Sequence, residues 1–338
     1  MKERVNHDRV TQIPEDHMKA LYVKQWGNPT SIALLDPHCT IFKVTGIDGV
    51  IAYRDEPSCV VVFGDPICAP EDVQHLAQAF YDFCQYRKKT IVYAVISNNF
   101  MNILKEQNEW SIIEMGNELI LNPQQDPRVR TGNYANLLRR KTNYAARDGI
   151  LVKEYTGHNK DTETMIEEVA DAWLKGRTGR QIYLVQVNMF AGRSTKRYFY
   201  AEDSKTGSMI GVLMLTRLDA HHGWVINLSI TVLGAASYVS EVLALFALDT
   251  LRAEGCHYFS TGMVPDNGLG IIHGMHPIAT WLLRSVYGLV SRWYRLADKM
   301  RYWKKFGPHP KPTYMAFCTK SFKIKDIFTI LRAFHAEL

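Results

Sequence analysis

The strongest constraint on the fold of this chain is an alternation of short apolar, β-branched runs with longer segments of helical period. A helix is predicted for residues 71–89, where acidic residues follow Pro70. Strands are predicted for four apolar runs around it: 40–46, 49–53, 58–63 and 91–96. Strands separated by helices are typical of α/β proteins.

A second cycle of the same kind follows. A helix predicted at 133–147 ends at Asp148-Gly149, because glycine readily adopts the left-handed conformation that closes a helix. The elements after it are a strand at 150–155, a helix at 162–175, strands at 208–217 and 224–232, a helix at 237–254 and a strand at 257–261. We predict an α/β fold with two similar halves, residues 1–155 and 156–338, although no residue-level repeat is detectable.

Cationic residues are concentrated near the C-terminal end. From Trp281 to Leu338 there are 12 Lys or Arg against 3 Asp or Glu, a net charge of +9 in a chain whose total is +6. A basic amphipathic helix is predicted over 279–305, with cations beside an apolar stripe. The stripe consists of Leu282, Val286, Leu289, Trp293, Leu296 and Met300. Such a helix is typical of packing on a core, and also of lying on an anionic membrane surface.

Several classes of protein are disfavoured. The six cysteines have irregular spacing and no C-x-x-C pair, which argues against a zinc site or a redox dithiol and favours reduced thiols in the cytoplasm. No apolar run reaches 18 residues, so we expect no transmembrane segment. His273 and His276 alone are weak signs of a metal site or a base, and a surface loop is the simpler interpretation. We expect neither a metal nor a cofactor.

The segment around residue 235 bears on the acyl donor. A strand at 224–232 followed by a helix at 237 resembles the central motif of N-acetyltransferase (GNAT) folds, where a glycine-rich turn and a helix N-terminus hold the pyrophosphate of coenzyme A. Here the turn reads ITVLGAAS, with one glycine and no arginine. An acyl-CoA donor is therefore disfavoured, and another activated acyl donor is predicted.

Five stretches together resemble the C-terminal catalytic domain of the phosphatidylglycerol lysyltransferase family, which transfers amino acids from aminoacyl-tRNA to membrane lipids. They are GDPICAPED at 64–72, LLRRKTNYAARDG at 137–149, AWLKGRTGRQ at 172–181, SEVLALFALDTLRAEGCHYFSTGMVP at 240–265 and KKFGPHPKPTYMAF at 304–317. The resemblance implies two GNAT-like halves with a tunnel between them, entered by aminoacyl-tRNA and by lipid. Family members commonly carry an N-terminal membrane flippase, and this chain is expected to be a free-standing catalytic module.

The resemblance also assigns residues. The family's D-x-x-R pattern falls on Asn227 and Ile230, and the acidic residue that follows it falls on Glu241. Asn227 and Ile230 depart from the pattern, which favours a different amino acid or an uncharged acceptor such as a sterol or a diacylglycerol. The lysine and the tyrosine of the last block fall on Lys305 and Tyr314.

We predict catalytic roles for Glu241, Lys305 and Asn227. Lys305 is expected to stabilise an oxyanion or the terminal phosphate of the tRNA, and Glu241 to hold the ammonium group of the amino acid or to relay the proton of the acceptor hydroxyl. Each has a simpler alternative, since the helix dipole favours a first-turn Glu and Lys305 is also compatible with a solvated charge. Substrate binding is predicted for Tyr314, in the last of the five stretches, and for Gly262 and Met263, in the stretch 240–265. The three prolines at 308–312 predict a turn.

Two basic surfaces are predicted to bind two anionic partners. The surface for aminoacyl-tRNA comprises Arg139, Arg140, Lys141 and Arg147. The surface for the membrane comprises Arg292, Trp293, Arg295 and Lys304. The prediction is a cytoplasmic, peripherally membrane-associated aminoacyltransferase that acts on a lipid hydroxyl, with phosphatidylglycerol as the first acceptor. The alternatives are a GNAT enzyme that acylates a small amine from coenzyme A, and a non-catalytic protein that binds lipid or RNA.

Overall fold

Both predicted halves contribute to one continuous sheet. The computed structural model describes residues 15–35, 39–57, 59–107, 109–176, 189–190, 192–293 and 296–318. The strands are β1 (Thr40–Phe42), β2 (Gly49–Asp55), β3 (Cys59–Phe63), β4 (Ile67–Cys68), β5 (Thr90–Ile96), β6 (Ser111–Leu121), β7 (Ile150–Tyr155), β8 (Lys196–Asp203), β9 (Ser208–Leu218), β10 (Gly223–Thr231), β11 (Phe259–Pro265), β12 (Ile272–His273) and β13 (His309–Phe317). Their order in the sheet is β1-β2-β3-β5-β13-β6-β11-β10-β9-β8-β7, with β12 beside β6 and β4 beside β2.

Helices cover both sides of this sheet. They are α1 (Glu15–Trp26), α2 (Val73–Tyr86), α3 (Asn98–Glu106), α4 (Asn133–Asp148), α5 (Lys160–Gly176), α6 (Val239–Ala253), α7 (Pro277–Trp293) and α8 (Leu296–Lys304). The segment predicted as one amphipathic helix over 279–305 thus contains α7 and α8, and residues 294–295 between them lie outside the described part. The predicted α/β class is confirmed.

A strand-helix-strand unit occurs once in each half. In the first, β3 and β5 are parallel neighbours joined through α2, and in the second, β10 and β11 are parallel neighbours joined through α6. The other strand pairs of the described sheet are antiparallel. The last of the described strands, β13, lies between β5 and β6 of the first half. The boundary at residue 155 and the tunnel between the halves stay predictions.

Side-chain alternation assigns the helices to the two faces of the sheet. Leu213 and Leu215 pack with α6, whereas Val212 and Met214 point the other way and pack with α5. The face that carries α2, α3, α4, α6 and α8 is here called the α6 face, and the face that carries α1, α5 and α7 is called the α7 face. Ile32, in a 3₁₀ helix, packs on the α7 face against residues of the second half.

The sheet opens where its second parallel pair ends. Pairing between β10 and β11 is limited to Trp224–Phe259 and Val225–Ser260. Beyond these pairs β10 stays bonded to β9, and β11 to β6, with a β-bulge in each strand. Gly262 lies in the bulge of β11 at a φ of +68°, a conformation that glycine adopts without steric cost. We call this divergence the β10/β11 opening.

Candidate active site

The two best-matched family residues, Glu241 and Lys305, lie in direct contact. Glu241 is in the first turn of α6 but points inward, and only 2% of its side chain is exposed. Its Oε1 accepts hydrogen bonds from the Nζ atoms of Lys305, just after α8, and of Lys141, on α4, the latter at 2.5 Å. Ser240 donates to Oε2 at 3.2 Å. We call Lys141, Glu241 and Lys305 the lysine–glutamate cluster.

This cluster carries a net positive charge inside the protein. Burial lowers the pKa of Lys305, the contact with Glu241 opposes that shift, and the charge of Lys141 adds to it. The Lys305 Nζ also lies 4.2 Å from the centroid of the Tyr302 ring, a distance typical of a cation–π contact. An ammonium group has three donors, so Lys305 can hold Glu241 and still donate to a developing oxyanion. Glu241, by contrast, is fully engaged.

Asn227, the third predicted catalytic residue, is not brought to this cluster. It is the exposed extra residue of the bulge in β10, and its Nδ2 donates to Thr216 Oγ1 at 3.3 Å on the α7 face. Lys196 is paired with Thr216 on the next strand, and burial lowers its pKa to about 8. Ile230, where the family has arginine, is a core residue with 2% exposure. The departures from the family pattern therefore leave the central strand neutral.

The predicted substrate-binding residues are divided between two places. The backbone N–H of Gly262 donates to Ser260 Oγ at 3.0 Å, and Met263 is paired with Glu118 across β11 and β6. Both lie at the β10/β11 opening. Tyr314, on β13, lies instead against the first half, where its hydroxyl contacts Asn98 Oδ1 at 3.1 Å at the start of α3.

Sequence analysis missed a polar cluster beside the opening. Glu118 Oε1 accepts hydrogen bonds from the Tyr258 hydroxyl at 2.5 Å and from Ser260 Oγ at 2.9 Å. The ring of His221 stacks on that of Tyr258, with centroids 4.6 Å apart. Burial raises the pKa of Tyr258, and the charge of Glu118 adds to the shift. These residues come from sequence segments about 140 and 100 residues apart, and no local motif joins them.

Asp65, in the first family-like stretch, acts as a turn residue. Its Oδ1 accepts a hydrogen bond from the backbone N–H of Ser97 at 2.8 Å, which links the turn after β3 to the start of α3. Burial raises the pKa of Asp65, the Ser97 hydrogen bonds oppose this, and the charge of Glu118 adds to it.

The structure removes Lys141 from the predicted tRNA surface and adds an aromatic residue, Tyr144, to it. Arg139, Arg140 and Arg147 are exposed on α4, whereas Lys141 belongs to the lysine–glutamate cluster with 15% of its side chain exposed. Tyr144 is 43% exposed, and the guanidinium of Arg147 lies 5.2 Å from its ring centroid. The outer face of α4 thus combines arginines with an aromatic ring.

Most of the predicted membrane residues lie on the surface. Arg292 and Lys304 are exposed, and Trp293 is 59% exposed, while Arg295 lies outside the described residues. The outer side of α7 carries large apolar side chains at helical spacing: Ile278, Trp281, Leu282, Leu289 and Trp293. We call these five residues the α7 apolar face, which is a surface of the helix itself and not the α7 face of the sheet. Trp303 and Phe306, by contrast, are buried in the core of the α6 face.

Neither a metal-binding cluster nor a membrane-spanning helix is found in the described part of the chain. Among those residues, no group of three or more His, Cys, Asp or Glu is arranged to hold a metal ion. None of the helices in the same residues has the length and apolarity needed to cross a membrane.

Comparison with known proteins places these features in a family. The family described as phosphatidylglycerol lysyltransferase, C-terminal, matches residues 22–317. Phosphatidylglycerol lysyltransferase from Staphylococcus epidermidis is 22% identical over 306 residues, which make up 88% of this chain and 35% of that protein. The chain thus spans about a third of the length of that relative.

Solved structures show the same fold. The C-terminal domain assigned to a lysylphosphatidylglycerol synthetase of Agrobacterium fabrum is 15% identical, with a TM-score of 0.75 over 95% of this chain and 96% of that one. L-PGS from Bacillus licheniformis is also 15% identical, with a TM-score of 0.72 and the same coverage. The resemblance found in the sequence motifs is confirmed, and the chain belongs to the phosphatidylglycerol lysyltransferase C-terminal family.

Proposed function

We propose that this chain transfers an amino acid from aminoacyl-tRNA to the hydroxyl group of a membrane lipid at the cytoplasmic surface. Phosphatidylglycerol is the first choice of acceptor, because the family and its staphylococcal relative are named for it. A sterol or a diacylglycerol is the second choice, because Asn227 and Ile230 remove the charged pair of the family pattern. The observation that carries the proposal is the buried, net positive lysine–glutamate cluster formed by the family-matching residues Glu241 and Lys305.

The reaction exchanges one ester for another. The lipid hydroxyl oxygen attacks the carbonyl carbon of the aminoacyl ester, and a new C–O bond forms. The bond from that carbon to the terminal ribose oxygen breaks, and the proton of the lipid hydroxyl passes to the ribose oxygen. Because the donor is already activated, positioning and oxyanion stabilisation supply most of the acceleration. Lys305 is assigned to the oxyanion, and Lys141 and Glu241 hold it in place.

The outer face of α4 is assigned to the tRNA. Arginines bind phosphates with little dependence on sequence, and an exposed tyrosine stacks on unpaired bases. The carboxylate of Asp148 at the end of α4 is already bonded to Arg147, at 3.0 Å, and to Tyr238. We expect R140E with R147E to weaken tRNA binding at least tenfold at 50 mM salt and to flatten its salt dependence. Lys105→Glu, which reverses an exposed charge on α3, is the matched control.

The α7 apolar face is assigned to the membrane surface. Its two tryptophans, 68% and 59% exposed, are residues that favour the interface between lipid and water, and Arg292 lies beside them to attract anionic head groups. We expect W281S with W293S to reduce sedimentation with phosphatidylglycerol vesicles roughly tenfold per tryptophan. Tyr86→Ser, at an aromatic residue that is 91% exposed on α2, should leave it unchanged.

The coenzyme A alternative is disfavoured by the surroundings of the turn before α6. A depression of about 420 Å³ adjoins this turn and is lined by two carboxylates, Asp148 and Asp203, with Lys205 as the neighbouring cation. Carboxylate oxygens only accept hydrogen bonds, so this lining supplies no donors for a pyrophosphate, and the charge of Asp203 repels it. Saturable binding of acetyl-CoA in calorimetry would support this alternative.

The direct test is reconstitution. Purified protein, a mixture of aminoacyl-tRNAs and vesicles are incubated together, and lipid extracts are compared by mass spectrometry. Parallel vesicles contain phosphatidylglycerol, a sterol or a diacylglycerol as the sole hydroxyl lipid. A new lipid with the added mass of an amino acid identifies both substrates. Absence of product with every acceptor refutes the proposal and favours a protein that only binds lipid or RNA.

A further inference from the structure

We propose that Glu118 forms a subsite for a primary ammonium group of the aminoacyl substrate, at the base of the β10/β11 opening. This inference rests on the proposed function, because an aminoacyl ester of tRNA carries a free amino group that is largely protonated near neutral pH. Such a group needs an acceptor, and a carboxylate is the strongest that a protein offers.

The predicted acceptor, Glu241, is not available. Its Oε1 is shared by two ammonium groups that belong to the protein, and its Oε2 accepts from Ser240. With 2% of its side chain exposed, it has no surface left for a ligand. A third cation would also enter a cluster that is already net positive. Asn227 carries no charge, so the ammonium has to be bound elsewhere.

Glu118 has the geometry that Glu241 lacks. The hydroxyls of Tyr258 and Ser260 both donate to Oε1 and thereby fix the carboxylate group. Its Oε2 has no hydrogen-bond partner among the described residues, and the side chain is half-buried. Ser260 is the last residue of β11 that pairs with β10, so the carboxylate lies where the opening begins. A fixed carboxylate with one free oxygen is ready for a cation.

The described groups around Glu118 leave its charge unpaired. The Tyr258 hydroxyl donates to the carboxylate from the edge of its ring, and His221 covers one face of that ring. Lys311 lies opposite Glu118 on β13 and is exposed, but the two form no ion pair within the described residues. The site lies on β6, the strand that joins the two halves.

The test separates charge from shape. Glu118→Gln keeps an oxygen for the Tyr258 and Ser260 hydroxyls and removes only the charge. Glu114→Gln is the matched control, because Glu114 lies on the same strand and accepts a hydrogen bond from the backbone of Ile271. Lysinamide is the probe, with its fully N-acetylated form as the uncharged arm, and binding is measured by calorimetry.

We expect the wild type and Glu114→Gln to bind lysinamide at least tenfold more tightly than its acetylated form. In Glu118→Gln this preference should fall to about twofold or less, because the negative charge that favours an ammonium over an amide is gone. The same ratios are expected in kcat/KM for lysyl-tRNA and acetylated lysyl-tRNA. Unchanged discrimination in Glu118→Gln overturns the subsite, even if the wild type makes aminoacylated lipid.

The binding arm does not depend on turnover. Lysinamide binding that depends on Glu118, in a wild type that makes no lipid product, would support the subsite and refute the proposed transfer. Thermal unfolding of each variant shows that loss of binding is not loss of fold.

Discussion

Removing Glu241 should destabilise the fold more than removing either lysine that it binds. Both Nζ atoms contact the same Oε1, one of them at 2.5 Å, so the two cations lie within about 5 Å of each other. In Glu241→Gln nothing offsets their repulsion, which is ~3 kcal/mol for unit charges 5 Å apart at an effective dielectric constant of 20. Lys141 and Lys305 are 15% and 13% exposed, so solvent screens them only in part. A loss of about 3 kcal/mol also agrees with the usual cost of breaking a buried ion pair.

Lys141→Met tests the same electrostatic argument by removing one of the two cations. The methionine keeps the apolar stem and leaves Glu241 paired one to one with Lys305, a neutral pair, so we expect a cost of at most ~1 kcal/mol. The double variant Glu241→Gln with Lys141→Met removes the repulsion and should recover about 2 kcal/mol of the single loss. Urea unfolding followed by tryptophan fluorescence measures all three differences. A double variant no more stable than Glu241→Gln alone would show that cation repulsion is not the cause.

Three smaller predictions concern other parts of the fold. The pKa of Lys196 in the folded protein, about 8, is below its value in the unfolded chain. The free energy of unfolding should therefore rise between about pH 8 and pH 10.5, by ~1–2 kcal/mol after allowance for partial solvation. Unfolding midpoints measured at pH 8 and pH 10 should show this rise in the wild type and not in Lys196→Gln. Gly116→Ala should cost about 3 kcal/mol in urea unfolding, because a Cβ there would lie 2.3 Å from the Val264 carbonyl oxygen and separate β6 from β11; a loss below 1 kcal/mol would contradict that close approach. Gly288→Ala should raise stability by roughly 0.5–1 kcal/mol, since its Cβ would meet nothing within 4 Å in the interior of α7; a lowered thermal midpoint would argue against an open site there.

The sequence predicted elements whose signal is local. Strands β3, β5 and β9 read as apolar runs because both of their faces are largely buried, and α2, α4 and α6 follow a helical period or end at a recognisable turn. Local patterns of this kind can be recognised without knowledge of the tertiary fold. The two-cycle organisation followed from them alone.

The strands at the junction could not be predicted in this way. In β6, the polar residues Glu114, Asn117 and Glu118 interrupt the apolar pattern, because they serve contacts made by distant parts of the chain. In β13, Pro310 and Pro312 predict a turn, since proline cannot donate to a strand ladder. The structure nevertheless pairs both prolines with β6, in an exposed part of β13 that precedes its pairing with β5 at Tyr314. Only the tertiary arrangement explains that position.

The positions of Glu118 and Lys305 restrict how one substrate can use both. In an aminoacyl ester the α-nitrogen is ~2.5 Å from the carbonyl carbon, a distance fixed by two bonds and one angle. A substrate whose α-ammonium contacts Glu118 therefore has its reacting carbonyl close to the β10/β11 opening, on the α7 face of the sheet. Lys305 packs with the helices of the opposite face, so it can reach that carbonyl only through the opening, where pairing between the strands has ended. An ammonium at the end of a long side chain removes this restriction, because several more bonds then separate it from the carbonyl. This geometry requires strong kinetic coupling between Glu118 and Lys305 for amino acids with short side chains. For lysine, the coupling should be weaker.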